Sequence, residues 1–398
     1  MPSGLASRRP RLGSFDVLAL TALLWFLAKF LRYAVPPLFG TFRGLYGVSN
    51  AELGAMFSAL MGGYALMQFP SGALADRIGA VRVIVGGAVV AATATLLLFA
   101  STTYAVLVVA VVGVGVGTGA HKTVAITLLT AVYSNRTGRA LGVVDTVGEF
   151  GGVLAPAVVV AVLAAALPWQ SIFLVAALAG LCLAGTFAVR VPRRLSDRAV
   201  GTPDDGGVRI RSSLAAVATG RLAAFVVVTV CFAFAVGGVT AFLPLFLERR
   251  PGIDTHLAGL LYSAFFVVAA VQPLSGELAD RVGPLRVIAG LLCLGVAAVG
   301  WLLAAAGPLA VGAATLALGV GLHGVRPGRD AYLMTVIPDD GAGGTLGVVR
   351  TIMMGASAVA PAAVGYLSEA ATFGVAFGVL AASLAVAAAV VGVLAVTR

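Results

Sequence analysis

A chain of 398 residues that is 60% hydrophobic and only 11% charged is not a soluble domain, in which about a quarter of residues carry charge. A mean hydropathy of +1.05 over this length excludes a single water-surrounded core, because such cores stop growing near about 250–300 residues. The net charge of +10 is scattered among apolar runs rather than gathered on a polar face. That pattern speaks for orientation in a membrane and against a nucleic-acid partner.

In chain order, "MPSGLASRRPRLGSFD" places basic residues ahead of an apolar run. A cleavable signal competes with a first membrane span here. The run is long, contains Lys29 and Arg32 and lacks a small-residue cleavage motif, which favours the span. A spanning helix takes about 20 mostly apolar residues. Twelve stretches qualify: 15–39, 50–73, 81–100, 104–131, 140–164, 169–190, 220–247, 256–277, 285–305, 308–336, 344–368 and 372–396. The one long polar stretch, 191–219, is rich in Pro, Gly and Asp and reads as a linker. The expected architecture is therefore an all-α membrane protein: a six-helix bundle over 1–190, a linker over 191–219 and a second six-helix bundle over 220–398. Cys182, Cys231 and Cys293 lie in apolar segments without CxxC spacing and read as buried free thiols.

Short basic loops orient membrane helices with their positive side inward. With a cytoplasmic N-terminus, nearly all loop arginines fall inside, and only Arg43, Arg249 and Arg250 fall outside. Both termini and the linker are then expected on the cytoplasmic side of the cell membrane. So are two loops that repeat one charged octet: GALADRIG at 72–79 and GELADRVG at 276–283. Gly72, Asp76, Arg77, Gly79 and Arg82 match Gly276, Asp280, Arg281, Gly283 and Arg286, and Gln68 matches Gln272. A second pair of segments repeats as well: "ALGVVDTVGEFGGVLAPAVV" (140–159) and "TLGVVRTIMMGASAVAPAAV" (345–364) align Pro156 with Pro361 and Asp145 with Arg350. Internal repeats of this kind mark secondary transporters.

With these octets in equivalent loops of two six-helix halves, and the run "GEFGGVLAP" in the fifth span, the chain resembles the major facilitator superfamily over nearly its whole length. Two departures stand out. Ala80-Val81 and Pro284-Leu285 replace the basic residues that usually follow the octet glycine, and "VVAVV" at 108–112 lacks the arginine common early in the fourth span. The stretch from "KFLRYAVPPLF" onward resembles the organic-anion and organophosphate branches. The resemblance implies a gate. Asp76 would meet the positive N-terminal end of the eleventh span near 341–345, with Arg77 completing a charge-assisted network. Asp280 and Arg281 would serve the start of the fifth span near Arg139. Gly72 and Gly276 would allow close helix approach.

Ionisable residues inside spans cost roughly 2.5–3.5 kcal/mol on insertion scales, so each is a candidate for function. Lys29 and Arg32 share a face of the first span; Arg32 either lines a cavity or snorkels outward. His121 and Lys122 follow Gly113, Gly115, Gly117 and Gly119, whose spacing suits helix packing. The histidine and lysine themselves read as cavity lining, and Lys122-Thr123 lacks the glycine that a phosphate loop needs. Asp145 and Glu149 lie one turn apart in the fifth span. Either they form structural ion pairs, Asp145 with Arg350 or Arg139, or they carry a proton. Glu149 is the deeper and the preferred carrier, because a desolvated carboxylate can take up and release a proton. In the tenth span, His323 and Arg326 precede Pro327-Gly328, where a break or kink is expected; Arg329 and Asp330 read as a local ion pair.

Lys29, Arg32, Lys122, Arg326 and Arg350 thus face Asp145 and Glu149, with His121 and His323 neutral. A cavity with surplus positive charge attracts anions. The expected function is a secondary transporter that moves a small organic or inorganic anion by alternating access with a proton. Lys29, Arg32, His121, Lys122, His323, Arg326 and Arg350 are the candidate substrate ligands. Proton-coupled efflux of drugs or metabolites is the alternative. No Ser/His/Asp arrangement or metal-ligand cluster points to an enzyme, a metal or another cofactor, and no appended soluble domain points to a sensor. A monomer in the lipid bilayer is the expectation by resemblance.

Overall fold

The computed structural model describes residues 13–134, 136–194, 217, 220–337 and 342–397, and these contain no strand. Residues 1–12, 135, 195–216, 218–219, 338–341 and 398 lie outside them, so most of the expected linker is not described further. Before the linker run α1 (Gly13–Tyr33), α2 (Phe39–Tyr46), α3 (Asn50–Ile78), α4 (Ala80–Phe99), α5 (Tyr104–Val132), α6 (Thr137–Ala164) and α7 (Gln170–Arg190). After it run α8 (Gly220–Glu248), α9 (Thr255–Val267), α10 (Gln272–Val282), α11 (Pro284–Ala304), α12 (Pro308–Val336), α13 (Ala342–Ala370) and α14 (Phe373–Val396).

Helix starts are set by local chemistry. Ser49 accepts from the Glu52 backbone while the Glu52 carboxylate accepts from the Ser49 N–H, closing a capping box on α3. Thr103, Asp254 and Thr372 cap α5, α9 and α14 in the same way through one side-chain oxygen each. The first span is longer than expected. After Tyr33 it bends through a 3-10 turn at Pro36–Leu38 and continues as α2, because two prolines cannot donate to the helix ladder. The eighth span is two helices joined by a 3-10 turn at Val268–Val271, with Pro273 opening α10. In contrast, α12 runs unbroken through Pro327-Gly328, so the break expected there is not found.

Eleven of the described helical stretches are long and apolar enough to cross a membrane. The twelfth expected span, α3, matches them at 29 residues but is diluted by Asn50, Glu52, Gln68, Asp76 and Arg77. It packs along α5 on one side and α13 on the other. The cysteines are free as expected but not buried: Cys182 and Cys293 sit on the outer surface and Cys231 is half-buried.

Small residues decide how tightly the helices lie. Gly115 and Gly119 of α5 face α3, where a Cβ would fall 2.1 Å from the Leu60 carbonyl oxygen and 2.5 Å from that of Tyr64. Gly113 and Gly117 face α4 in the same fashion, against Ala94 and Ala91. The two six-span groups meet through α3 against α13 and α6 against α9. At the first crossing the backbones nearly touch: a Cβ on Gly54 would lie 2.3 Å from the Pro361 oxygen, and one on Gly365 2.3 Å from the Asn50 oxygen. Hydrogen bonds lock the same place. The Ala362 N–H donates to Ser58 (2.8 Å), Asn50 Nδ2 donates to Ser368 (3.1 Å) and the Asn50 N–H donates to Glu369 (3.1 Å). These contacts lie at the end of the molecule away from the octets.

The octets build two matching corners. Gly79 (φ 93°, ψ 143°) and Gly283 (φ 95°, ψ 138°) adopt one backbone conformation that side-chain-bearing residues avoid. Arg82 then reaches back to the Ile78 carbonyl (3.2 Å) and Arg286 to the Val282 carbonyl (3.1 Å), each capping the helix before its corner. A Cβ on Gly72 or Gly276 would meet Thr123 or Pro327 at 3.7 and 3.5 Å, which is ordinary contact, so the close approach expected at these two positions is absent.

Candidate functional site

The fifth-span run "GEFGG" explains the centre of the molecule. Gly148 leaves room for the Trp25 indole, which a Cβ would strike at 2.2 Å, and Gly151 admits the α1 backbone at Phe26. Gly152 faces the Tyr33 ring, which packs on Phe266 of α9 at 4.8 Å between centroids. With α1 held this close to α6, the Lys29 ammonium and the Glu149 carboxylate form an ion pair. Arg326 reaches the same carboxylate from α12, 4.0 Å away. Glu149 therefore joins a cation of the first six spans to one of the last six. His323, one turn before Arg326, is buried against Phe265 and Phe266, with centroids 4.8 and 5.9 Å away.

Around this triad the sequence expectations divide. Arg32 does not snorkel: it is 5% exposed. Its Nε donates to the Ala28 carbonyl (3.2 Å), and its guanidinium lies 3.9 Å from the Tyr64 ring centroid and 5.2 Å from that of Trp25. Lys122 pairs with Asp145 and sits 5.0 Å from the Trp25 centroid. The alternative partners named for Asp145 are thereby corrected: Arg350 and Arg139 are both exposed and neither forms an ion pair among the described residues. The reason is that α5 brings Lys122 beside α6, whereas Arg350 stands on α13, which packs with α3 and α8.

His121 is also corrected. It does not line a space between the two groups of helices. It is packed inside the first bundle, where Nε2 meets the Thr21 carbonyl at 3.1 Å and the ring stacks on Trp25 at 5.9 Å. There it borders a cavity of about 30 Å³ among α1, α4, α5 and α7. Arg329 pairs with Asp330 at 2.7 Å, as expected, and contacts Met353 of α13. Trp25, Tyr33, Tyr64, Phe265 and Phe266 form the aromatic wall of the site. Sequence reasoning missed them because an aromatic residue in an apolar span gives no contrast; the one available signal was the glycine trio opposite.

The octet charges stand apart. Asp76, Arg77, Asp280, Arg281 and Arg286 are exposed, and Arg281 pairs with Glu277 of its own helix. Among the described residues no ion pair links an octet to the other six-span group. The described contacts hold the halves together at the end away from the octets, and nearer the octets Gln68 Nε2 donates to Met354 Sδ at 3.3 Å. No group of three or more candidate metal-ligating side chains occurs among the described residues.

A family model described as Major Facilitator Superfamily matches residues 21–254 and 225–398. SauU of Cupriavidus necator, described as a probable sulfoacetate transporter, is 27% identical over 301 residues, 71% of this chain and 69% of that protein. The multidrug resistance protein MdtG of Klebsiella pneumoniae is 31% identical over 137 residues, 33% of each chain. Among solved structures, a bacterial homolog to the human lysosomal transporter Spinster, inward-facing and occupied, has a TM-score of 0.81 at 15% identity and covers 98% of both chains. The peptide transporter POT in complex with sulfate has a TM-score of 0.77 at 16% identity, covering 99% of this chain and 96% of that one.

Proposed function

The chain belongs to the major facilitator superfamily and is a multi-pass membrane transporter, not an enzyme; we propose that it carries a small organic or inorganic anion across the cytoplasmic membrane, coupled to a proton. The observation that carries this reading is the Lys29–Glu149–Arg326 triad, in which two cations from opposite halves share one carboxylate. Lys29, Lys122 and Arg326 pair with Glu149 or Asp145, and buried Arg32 has no ion pair among the described residues, so positive charge remains in surplus. The description of SauU as a sulfoacetate transporter and the sulfate complex of POT agree with an anionic cargo.

The octets, the linker and both termini face the cytoplasm in this reading, so the end where the described contacts hold the halves together is external and the state is read as inward-facing. An anion entering from the octet side displaces Glu149 from Lys29 and Arg326 and bridges the two halves itself. The freed carboxylate takes a proton in place of its lost cations, which links cargo to proton. When the halves rock, the external contacts of α3 with α13 part. The octets then close: Asp76 and Arg77 meet the start of α13 near Thr345, and Asp280 and Arg281 meet the start of α6 near Arg139. The protein works as a monomer.

A charge-assisted hydrogen bond is worth about 1.5–3 kcal/mol, so losing one weakens binding roughly ten- to a hundredfold. Melting of the purified protein is measured against a panel of small carboxylates, sulfonates, phosphates and lipophilic cations, since a ligand specific to the folded state raises its stability. An anion shift that falls by that factor in Lys29→Gln and in Arg326→Gln supports the reading. Undiminished anion binding in both variants refutes it. The local likeness to MdtG favours a second reading, efflux of drugs or metabolites, and a shift only with lipophilic cations would select it.

A further inference from the structure

One buried cation is left without a task by that scheme. Arg32 has no carboxylate partner among the described residues. Its Nε is spent on the Ala28 carbonyl at 3.2 Å, and its two terminal nitrogens have no acceptor among those residues. What holds it is aromatic: the guanidinium lies against Tyr64 at 3.9 Å and Trp25 at 5.2 Å. Stacking uses the face of a guanidinium and leaves its N–H edge free, the edge that binds an oxyanion in a two-pronged fashion. A buried arginine held in this way has its counter-ion still to come.

The charge balance bounds how much negative charge is missing: two charges while Glu149 is ionised, three once it takes up a proton. Lys122 is neutralised by Asp145, and Arg329 by Asp330. Lys29, Arg32 and Arg326 remain, set against Glu149 alone. Two positive charges are uncompensated in a poorly solvated place, where unpaired charge is costly. Trp25, Lys29 and Arg32 follow one stripe of α1, with Lys29 at 5.9 Å and Arg32 at 5.2 Å from the same indole centroid. Both cations therefore flank one ring.

We propose that the substrate is a small dianion, with one acidic group on Lys29 and Arg326 and the second on the free edge of Arg32. This deepens the anion reading and rests on it. Arg32 is then the residue that distinguishes two charges from one.

The test compares ligands that share a skeleton and differ by one charge: succinate against monomethyl succinate, and malonate against monomethyl malonate. Their affinities are measured from melting shifts of the full chain in detergent. The expected result is a preference for the dianion of at least tenfold, which Arg32→Gln reduces to within about twofold by weakening the dianion far more than the monoanion. Arg32→Lys, which keeps the charge and loses the two-pronged edge, gives an intermediate preference and serves if Arg32→Gln does not fold. Equal binding within each pair by the unaltered protein overturns the dianion proposal and leaves the anion reading standing. So does a preference that survives in Arg32→Gln. Stabilisation by lipophilic cations alone overturns both.

Discussion

The two six-span halves share the backbone of their octet corners and differ in charge. Gly79 and Gly283 turn their corners with the same dihedral angles, and Arg82 and Arg286 cap the preceding helices at matching distances. Even the serine before each octet repeats: Ser71 donates to the Gln68 carbonyl and Ser275 to that of Gln272, both at 3.0 Å. Yet Asp145 and Glu149 of α6 fall at Arg350 and Met354 of α13, and His121 of α5 falls at Arg326 of α12. The first half carries both of the site's carboxylates, and the second half supplies a cation to one of them. A duplicated scaffold has kept what shapes a helix pair and exchanged what touches the space between the halves.

The inter-half crossings offer the sharpest way to break this comparison. Gly54 of α3 and Gly259 of α9 are repeat-related, and both lie where the halves cross. Gly54 faces backbone, the Pro361 carbonyl, whereas Gly259 faces the Val160 side chain at 1.9 Å from its own added Cβ. A side chain can rotate aside and a backbone cannot. Gly54→Ala is expected to lower transport in proteoliposomes at least tenfold. Gly259→Ala has a smaller effect, and Val160→Ala rescues it. Equal damage from both glycine variants, or no rescue, would mean that the two crossings do not differ as described.

The corners should give a middle-sized effect of equal magnitude in the two halves. Nothing lies within 4 Å of a Cβ added at Gly79 or Gly283, so alanine there suffers backbone strain alone, about 1–3 kcal/mol. Thermal melting of the two single variants should agree within about 0.5 kcal/mol; a large gap would show that the corners are not equivalent in energy. The smallest effect belongs to Asp145→Asn. Asp145 is half exposed and its pair with Lys122 is screened, so the variant costs about 0–1 kcal/mol in melting. A larger loss would place this pair among the groups that the fold depends on.

Much of this was legible in the sequence for identifiable reasons. Lys29, Glu149 and Arg326 stood out because a charge in an apolar span has few neutral explanations. The repeat was legible because Asp and Arg recur at fixed places in loops that are otherwise short. What failed was partner choice. Asp145 meets Lys122 because α5 lies beside α6, and spacing along the chain does not report which helices are neighbours. His121 was drawn toward the cavity by its adjacent lysine, although neighbouring residues on a helix point about 100° apart. The break at Val268–Val271 did have a signal in Gln272-Pro273, weaker than the Pro327-Gly328 that drew attention instead. Gly54 and Gly365 were not singled out, since a glycine among many apolar residues does not announce a backbone contact.

Trp25 fills the seat left by Gly148, with Lys29, Arg32 and Lys122 around its ring. The chain has three tryptophans in all. Trp169, at the N-cap of α7, is buried in a separate aromatic group with Phe42 and Phe173, and Trp301 looks outward from α11 at 47% exposure. Indole emission responds to nearby charge. The molecule therefore holds a native fluorophore beside three cations of the proposed anion site, and the proposed occupancy is open to an optical reading without any label.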